Sequence, residues 1–181
     1  MSDLDKISSF LDEVPVNLEG ALRALGLRVV TDANLDPDVS GHIRKVEPGR
    51  YEIASAGGEP VSRQRFTVAH ELGHYILHRN LIGDGINDST KYRTMRGSRL
   101  YNSRIDDVHE RQANSFAANI LMPEHTLRRD IGWYGTVEDA ARAYNVSRSA
   151  MRWRLKNLGL YEDVDDPEEG HSARPRARVD L

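Results

Sequence analysis

Phe66-Thr67-Val68-Ala69-His70-Glu71-Leu72-Gly73-His74-Tyr75-Ile76-Leu77-His78 is the stretch from which the rest of the chain can be read. At about 100° per residue, an α-helix sets His70 and His74 only about 40° apart and one turn apart, so both imidazoles can reach one ion. Thr67, Glu71 and His78 share that side, whereas Val68, Ala69, Leu72, Gly73, Ile76 and Leu77 occupy the other. Such a helix is apolar where it packs and polar where it faces a cleft. The order His-Glu-x-x-His also has a chemical logic. Zinc takes two neutral imidazoles, while the carboxylate beside the first histidine stands next to the metal without binding it. Zinc lowers the pKa of a bound water toward about 7, and a neighbouring carboxylate completes its activation. The spacing therefore predicts His70 and His74 as zinc ligands and Glu71 as the general base. Two structural histidines falling four apart by chance would leave Glu71 unexplained.

Composition narrows the ligand set. The chain has 181 residues, seven histidines and no cysteine, so a thiolate metal site and a disulfide scaffold are both excluded. A catalytic zinc needs a third protein ligand. The extended metzincin pattern would require glycine at position 77 and histidine at 80, where the chain has Leu77 and Asn80. His78 lies about 12 Å along the helix from His70, too far for one ion to join all three histidines. It is read as a residue supporting the ligands or as a satisfied surface histidine. The other candidate lies on a second amphipathic helix running from about Asp106 to Met122 and stopped by Pro123. There Ala113, Phe116 and Ile120 form the packing face, and Glu110 points beside it. Glu110 is a candidate ligand or a solvated helix residue, with His109 as its rival. Asn114, one turn on, is placed to accept the free ring N–H of His70 or His74.

Around these helices the pattern predicts an α+β domain. Leu18, Ala21, Leu22 and Leu25 recur at helical spacing before Gly26, which suits a helix C-terminus. Short, partly β-branched runs at 27–30, 42–46 and 51–54, with Glu47-Pro48-Gly49 as turn chemistry, suggest a small, mostly antiparallel sheet. Residues 1 to about 14 read as a polar segment that frays. Residues 80–105 read as a long loop of the kind often tied to function. After Tyr161 the chain turns acidic and then basic with few apolar residues, the composition of a disordered tail. The expected division is 1–132 as the main domain, 133–161 as a helical appendage and 162–181 as tail. Lys and Arg number 25 against 28 Asp and Glu, a net charge of −3 that provides no global field for nucleic acid. No stretch approaches the roughly 18 apolar residues of a membrane span, and the opening MSDLDKISSF lacks a secretory pattern, so a cytoplasmic protein is expected.

Two blocks together carry a family resemblance: Arg65-Phe66-Thr67-Val68-Ala69-His70-Glu71-Leu72-Gly73-His74-Tyr75-Ile76-Leu77-His78, then Glu110-x-x-Ala113-Asn114-x-Phe116-Ala117 with Ile120-Leu121-Met122-Pro123. This combination resembles the ImmA/IrrE metallopeptidases over roughly residues 15–130. The resemblance implies a zincin-like, gluzincin-type core with His70, His74 and Glu110 on zinc and Glu71 catalytic. It also implies a soluble bacterial or phage endopeptidase of narrow specificity. The partner implied is a helix-turn-helix (Xre-like) repressor or an antitoxin. In such a peptidase the substrate backbone is expected to pair with an edge strand, for which 51–54 is the nearest candidate. Tyr92, Tyr101 or an arginine of 91–104 is expected to stabilise the developing oxyanion.

Residues 136–158 suggest a different class of function. Thr136 and Ser147 read as caps of two short helices, the second with Met151, Leu155 and Leu158 on one side and Arg148, Arg152 and Lys156 on another. This C-terminal helix-turn-helix-like pair makes a DNA-binding regulator the rival class. One short basic stripe is usually a solvated face, however, and the acids at 162–169 would repel phosphate. A structural or partner-docking role is the preferred reading. A toxin–antitoxin component acting by partner binding alone is a third.

Overall fold

In the computed structural model, residues 2–174 are described apart from 37, 84 and 89–104. The first core helix, α2 (Leu18–Ala24), is capped by the Asn17 side chain, which accepts the Gly20 N–H, and the chain leaves it through Gly26 at φ 71°. A short α1 (Asp3–Ile7) precedes it. Strands β1 (Arg28–Ala33), β2 (Gly41–Glu47) and β3 (Arg50–Ala56) follow, with β4 (Gly85–Asp88) added later, in the order β1-β3-β2-β4. β3 pairs parallel to β1 and antiparallel to β2, and β2 pairs antiparallel to β4. The sheet is thus mixed α+β in context and mostly antiparallel, as the turn chemistry suggested. In register, Ile53 lies opposite Ile43 and beside Val29. Glu52, a buried acid on β3, is held between Arg44 at 2.5 Å and Arg28 at 3.2 Å.

The long helix α3 (Val61–His78) starts after Pro60 and packs across β2 and β3. Its other contact is α4 (Asp107–Leu121), capped by Asp106, whose carboxylate accepts the N–H groups of Val108 and His109. Pro123 ends that run, and α5 (Glu124–Asp130), α6 (Val137–Tyr144) and α7 (Arg148–Leu158) complete the helices. Thr136 and Ser147 cap α6 and α7, and Asn145 closes α6 in the left-handed region at φ 51°. One apolar core runs through all of it, from Ile7 and Leu22 through Leu72 and Leu121 to Tyr144, Leu155 and Val164. Among the described residues, no helix is long and apolar enough to cross a membrane.

Four expectations are corrected. The first residues do not fray: Ser2 caps α1, Ile7 is fully buried, and Asp3 pairs with Arg79 at the end of α3. Of the 80–105 loop, a 3-10 turn at Arg79–Leu81 and β4 are described, while Tyr92, Tyr101 and the arginines of 91–104 lie outside the described residues. Strand β3 is central, not an edge, because both its sides are taken by β1 and β2; the described edges are β1 and β4.

The fourth correction concerns the charged tail. Residues 162–174 fold back on α6 and α7: Val164 and Asp166 are fully buried, and the Val137 N–H donates to Asp165 O at 2.9 Å. Asp166 accepts from Arg152 and from the Tyr161 hydroxyl, Glu168 pairs with Arg148, and Glu169 lies 3.1 Å from Arg152. Opposite charges that looked like two separate runs satisfy each other. Arg148 and Arg152 of the α7 stripe are accordingly paired with acids of the same chain, which weakens the positive face that DNA binding requires. Residues 175–181 lie outside the described residues.

Candidate metal centre

The site begins with close packing between two helices. A Cβ added at Gly73 would lie 3.1 Å from the Ala113 Cα and 3.2 Å from its carbonyl oxygen, so α3 and α4 approach as closely as they do only because position 73 has no side chain. Glu110 and Asn114 flank Ala113 on α4, and His70 and His74 flank Gly73 on α3. The near contact therefore brings the two polar edges together.

His70, His74 and Glu110 each offer one ligand atom, and these atoms lie within 4.8 Å of one another; they are the group of this kind among the described residues. The two Nε2 atoms are 3.0 Å apart, and Glu110 oxygens lie 3.4 Å from His70 Nε2 and 3.5 Å from His74 Nε2. A tetrahedral zinc with bonds of about 2.0–2.1 Å would set its ligand atoms roughly 3.3 Å apart. Two imidazole nitrogens and a carboxylate oxygen, unaccompanied by thiolate, match what a catalytic zinc uses, so the residues present fit that ion. His109, the rival ligand, does not join them. It turns back to its own helix start, where its Nδ1 accepts the Asp106 N–H at 3.2 Å.

The surroundings suit the charge states such a site needs. His70 is 2% exposed, and His74 and Glu71 are fully buried. Burial pushes the His74 imidazole below its ordinary value, which favours the neutral form. Burial raises the Glu110 carboxyl, but its interactions with His70 and His74 outweigh it and hold the group well below the usual carboxylate range, so Glu110 is ionised where it faces the two rings.

Asn114 Oδ1 lies 2.9 Å from His70 Nδ1, so the amide oxygen accepts the N–H of that ring and Nε2 turns toward Glu110 and His74. His78 does not reach the group of three. Its Nδ1 lies 3.1 Å from His74 Nδ1, and its Nε2 lies 2.8 Å from Gln112 Oε1. Gln112 was not among the residues singled out from sequence. It sits about 160° round the helix from Glu110, so a reading of one face could not include it. The only local signal was a long amide side chain within a turn of Glu110.

Comparison with known proteins agrees with this geometry. The chain is 25% identical over 107 residues to metallopeptidase ImmA of Bacillus subtilis (strain 168), covering 58% of this chain and 56% of that protein. It is 35% identical over 97 residues to the radiation response metalloprotease IrrE of Deinococcus radiodurans, covering 51% of this chain and 27% of that protein. The matches thus span about half of the first relative and about a quarter of the second. A solved structure described as a Mycobacterium tuberculosis transcriptional regulator shares the fold, with a TM-score of 0.54 at 20% identity over 85% of this chain and 46% of that one. The sequence pattern of the Peptidase_M78 family, described as the IrrE N-terminal-like domain, matches residues 23–156, and the chain belongs to that ImmA/IrrE family of metallopeptidases.

Proposed function

We propose that the protein is a zinc-dependent endopeptidase of narrow specificity whose substrate is a helix-turn-helix (Xre-like) repressor or an antitoxin. The convergence of His70, His74 and Glu110 beside Glu71, in a chain of this family, supports the reading. His70, His74 and Glu110 hold the ion, in a gluzincin-type arrangement. When bound, zinc supplies Lewis acidity, polarising the scissile carbonyl and making the attacking water more acidic. Glu71 takes the proton of that water and delivers it to the leaving amine. The burial of Glu71 keeps this transfer away from bulk solvent. Asn114 holds the His70 ring in the tautomer and orientation that the ligand role needs.

On this reading, residues up to about 132 form the catalytic part, and α6–α7 with the segment folded onto them docks the partner. The protein works in the cytoplasm, where such a partner resides.

Replacing Glu71 by Gln tests the mechanism. The variant keeps its zinc, measured by elemental analysis, while cleavage of the co-expressed partner falls by about 10²–10⁴-fold, the usual effect of losing a general base. A purified wild-type protein without zinc, together with a candidate partner that stays whole in the same cells, would overturn the assignment. The most direct source of that partner is a helix-turn-helix regulator encoded beside this chain.

A further inference from the structure

The histidine row does not stop at the metal group. His70 and His74 are followed one turn later by His78, which is 4% exposed, and by Gln112 reaching across from α4. The contacts give this row a direction. The Nδ1 atoms of His74 and His78 face each other at 3.1 Å, so one of them carries the proton and the other accepts it. The far end decides which. His78 Nε2 faces an amide oxygen, Gln112 Oε1, at 2.8 Å, and an oxygen of that kind only accepts. His78 therefore carries its proton on Nε2 and offers a lone pair on Nδ1. His74 must then carry its proton on Nδ1, and its Nε2 turns a lone pair toward His70 Nε2 at 3.0 Å and Glu110 at 3.5 Å, a convergence of acceptors that only a cation held between them satisfies. The opposite assignment would put a proton on His74 Nε2, where an ion would have to bind, and would set two lone pairs against each other between His78 and Gln112.

We infer that His78 and Gln112 are positioning residues: a two-member hydrogen-bond chain that fixes His74 in the one tautomer able to ligate. This rests on the metal reading of His70, His74 and Glu110. His78 stands to His74 as Asn114 stands to His70, so each ligand imidazole has an acceptor behind it. The two acceptors differ in kind. Asn114 is an amide oxygen and accepts without preparation, whereas a histidine accepts only when its own proton is held at the other nitrogen. Gln112 supplies that hold, which explains a hydrogen bond from a buried histidine to a residue on the solvent side of α4.

Three variants and two readouts test the inference. Zinc affinity is measured by competition with a chromophoric chelator, and the His74 tautomer by ring ¹⁵N shifts in the metal-free protein. His78→Leu removes the acceptor and is expected to weaken zinc by about 10–100-fold, the usual effect of losing such a partner. It is also expected to turn the His74 ring from a single Nδ1–H form into a mixture. His78→Gln retains an acceptor oxygen and restores both. Gln112→Ala changes an exposed side chain, so the fold is kept even where His78→Leu is unstable; it is expected to mix the His74 tautomers and to weaken zinc by a smaller factor. Folded His78→Leu and Gln112→Ala proteins with wild-type affinity and an unchanged His74 signature would overturn the inference. Absence of zinc binding by wild-type protein would sink the metal reading instead, and the tautomer signature of the metal-free variants would still decide whether the chain of hydrogen bonds orders His74.

Discussion

Neutral imidazole is a usable ligand only when its proton sits on the nitrogen that faces away from the ion, and the protein settles this at each ring separately. At His70 the settling group is Asn114, whose Oδ1 takes the Nδ1 proton at 2.9 Å. Asn114→Ala deletes that acceptor at the edge of the site without opening the core. Zinc affinity measured against a chelator is expected to fall about 10–100-fold, while the thermal midpoint of the metal-free protein stays put. An affinity equal to wild type would show that ring orientation comes from packing alone. Among single residues, His70, Glu71 and His74 were legible from sequence because a helix fixes the angle between positions four apart. Helical spacing left Glu110 beside its rival His109, since nothing local distinguishes a carboxylate aimed at a site from one aimed at water; the family resemblance pointed to Glu110, and the fold brings Glu110 and not His109 to the histidines.

At the level of elements, the α3–α4 contact controls the site. Gly73 is the position at which the two helices come nearest, and what faces it is largely backbone, the Ala113 Cα and carbonyl. Gly73→Ala gains about 1 kcal/mol of helix propensity and forces the helices apart by a few tenths of an ångström, an overpacking that costs about 1–3 kcal/mol. These opposing contributions leave a net loss of up to about 2 kcal/mol, a fall in the thermal midpoint of up to roughly 8 °C for a chain of this size. The separation is not offset at the metal group, because Glu110 moves with α4 while both histidines move with α3. Zinc affinity is therefore expected to fall by more than the stability change implies, and chelator competition beside a melting curve measures both. Equal zinc affinity in the variant would mean that Glu110 reaches the histidines without the close approach. The extent of α4 and its stop at Pro123 were readable from period, and the caps of α6 and α7, Thr136 and Ser147, from capping chemistry. The centrality of β3 was not, because β-pairing order depends on which strands meet, and β1 pairs parallel along the side of β3 away from β2.

Across the whole molecule, the C-terminal segment closes the structure through charge. Asp166 is fully buried and is held below the usual carboxylate range first by its hydrogen bond with Arg152, then by the Tyr161 hydroxyl, against the opposing effect of burial. A carboxyl whose pKa is lowered on folding contributes stability that is present above its unfolded value, near 3.8, and is lost as pH falls through the lower folded value. Residues 161–174 are thus expected to detach from α6 and α7 in that acid range, ahead of the α3–α4 core, as followed by amide hydrogen exchange. In Asp166→Asn the same segment should be loosened already at neutral pH and should lose this acid dependence; protection identical to wild type at every pH would remove Asp166 from the role. The composition of 162–169 suggested disorder because local sequence counts charges without seeing their partners, and Arg148 and Arg152 lie on another element. What the sequence by itself determined was everything a single helix or turn settles: the side of α3 that carries His70 and His74, the candidate general base Glu71 beside them, the caps, the breaks and the exclusion of thiolates. Tertiary structure alone decided that His109 stays away from the histidines, which ring Asn114 meets and which meets His78, that Gln112 lies behind His78, which strand is central and whether the tail folds. Those depend on contacts between residues far apart in the chain, such as His70 and Asn114 at 44 positions' separation, and helical periodicity has no reach over that distance.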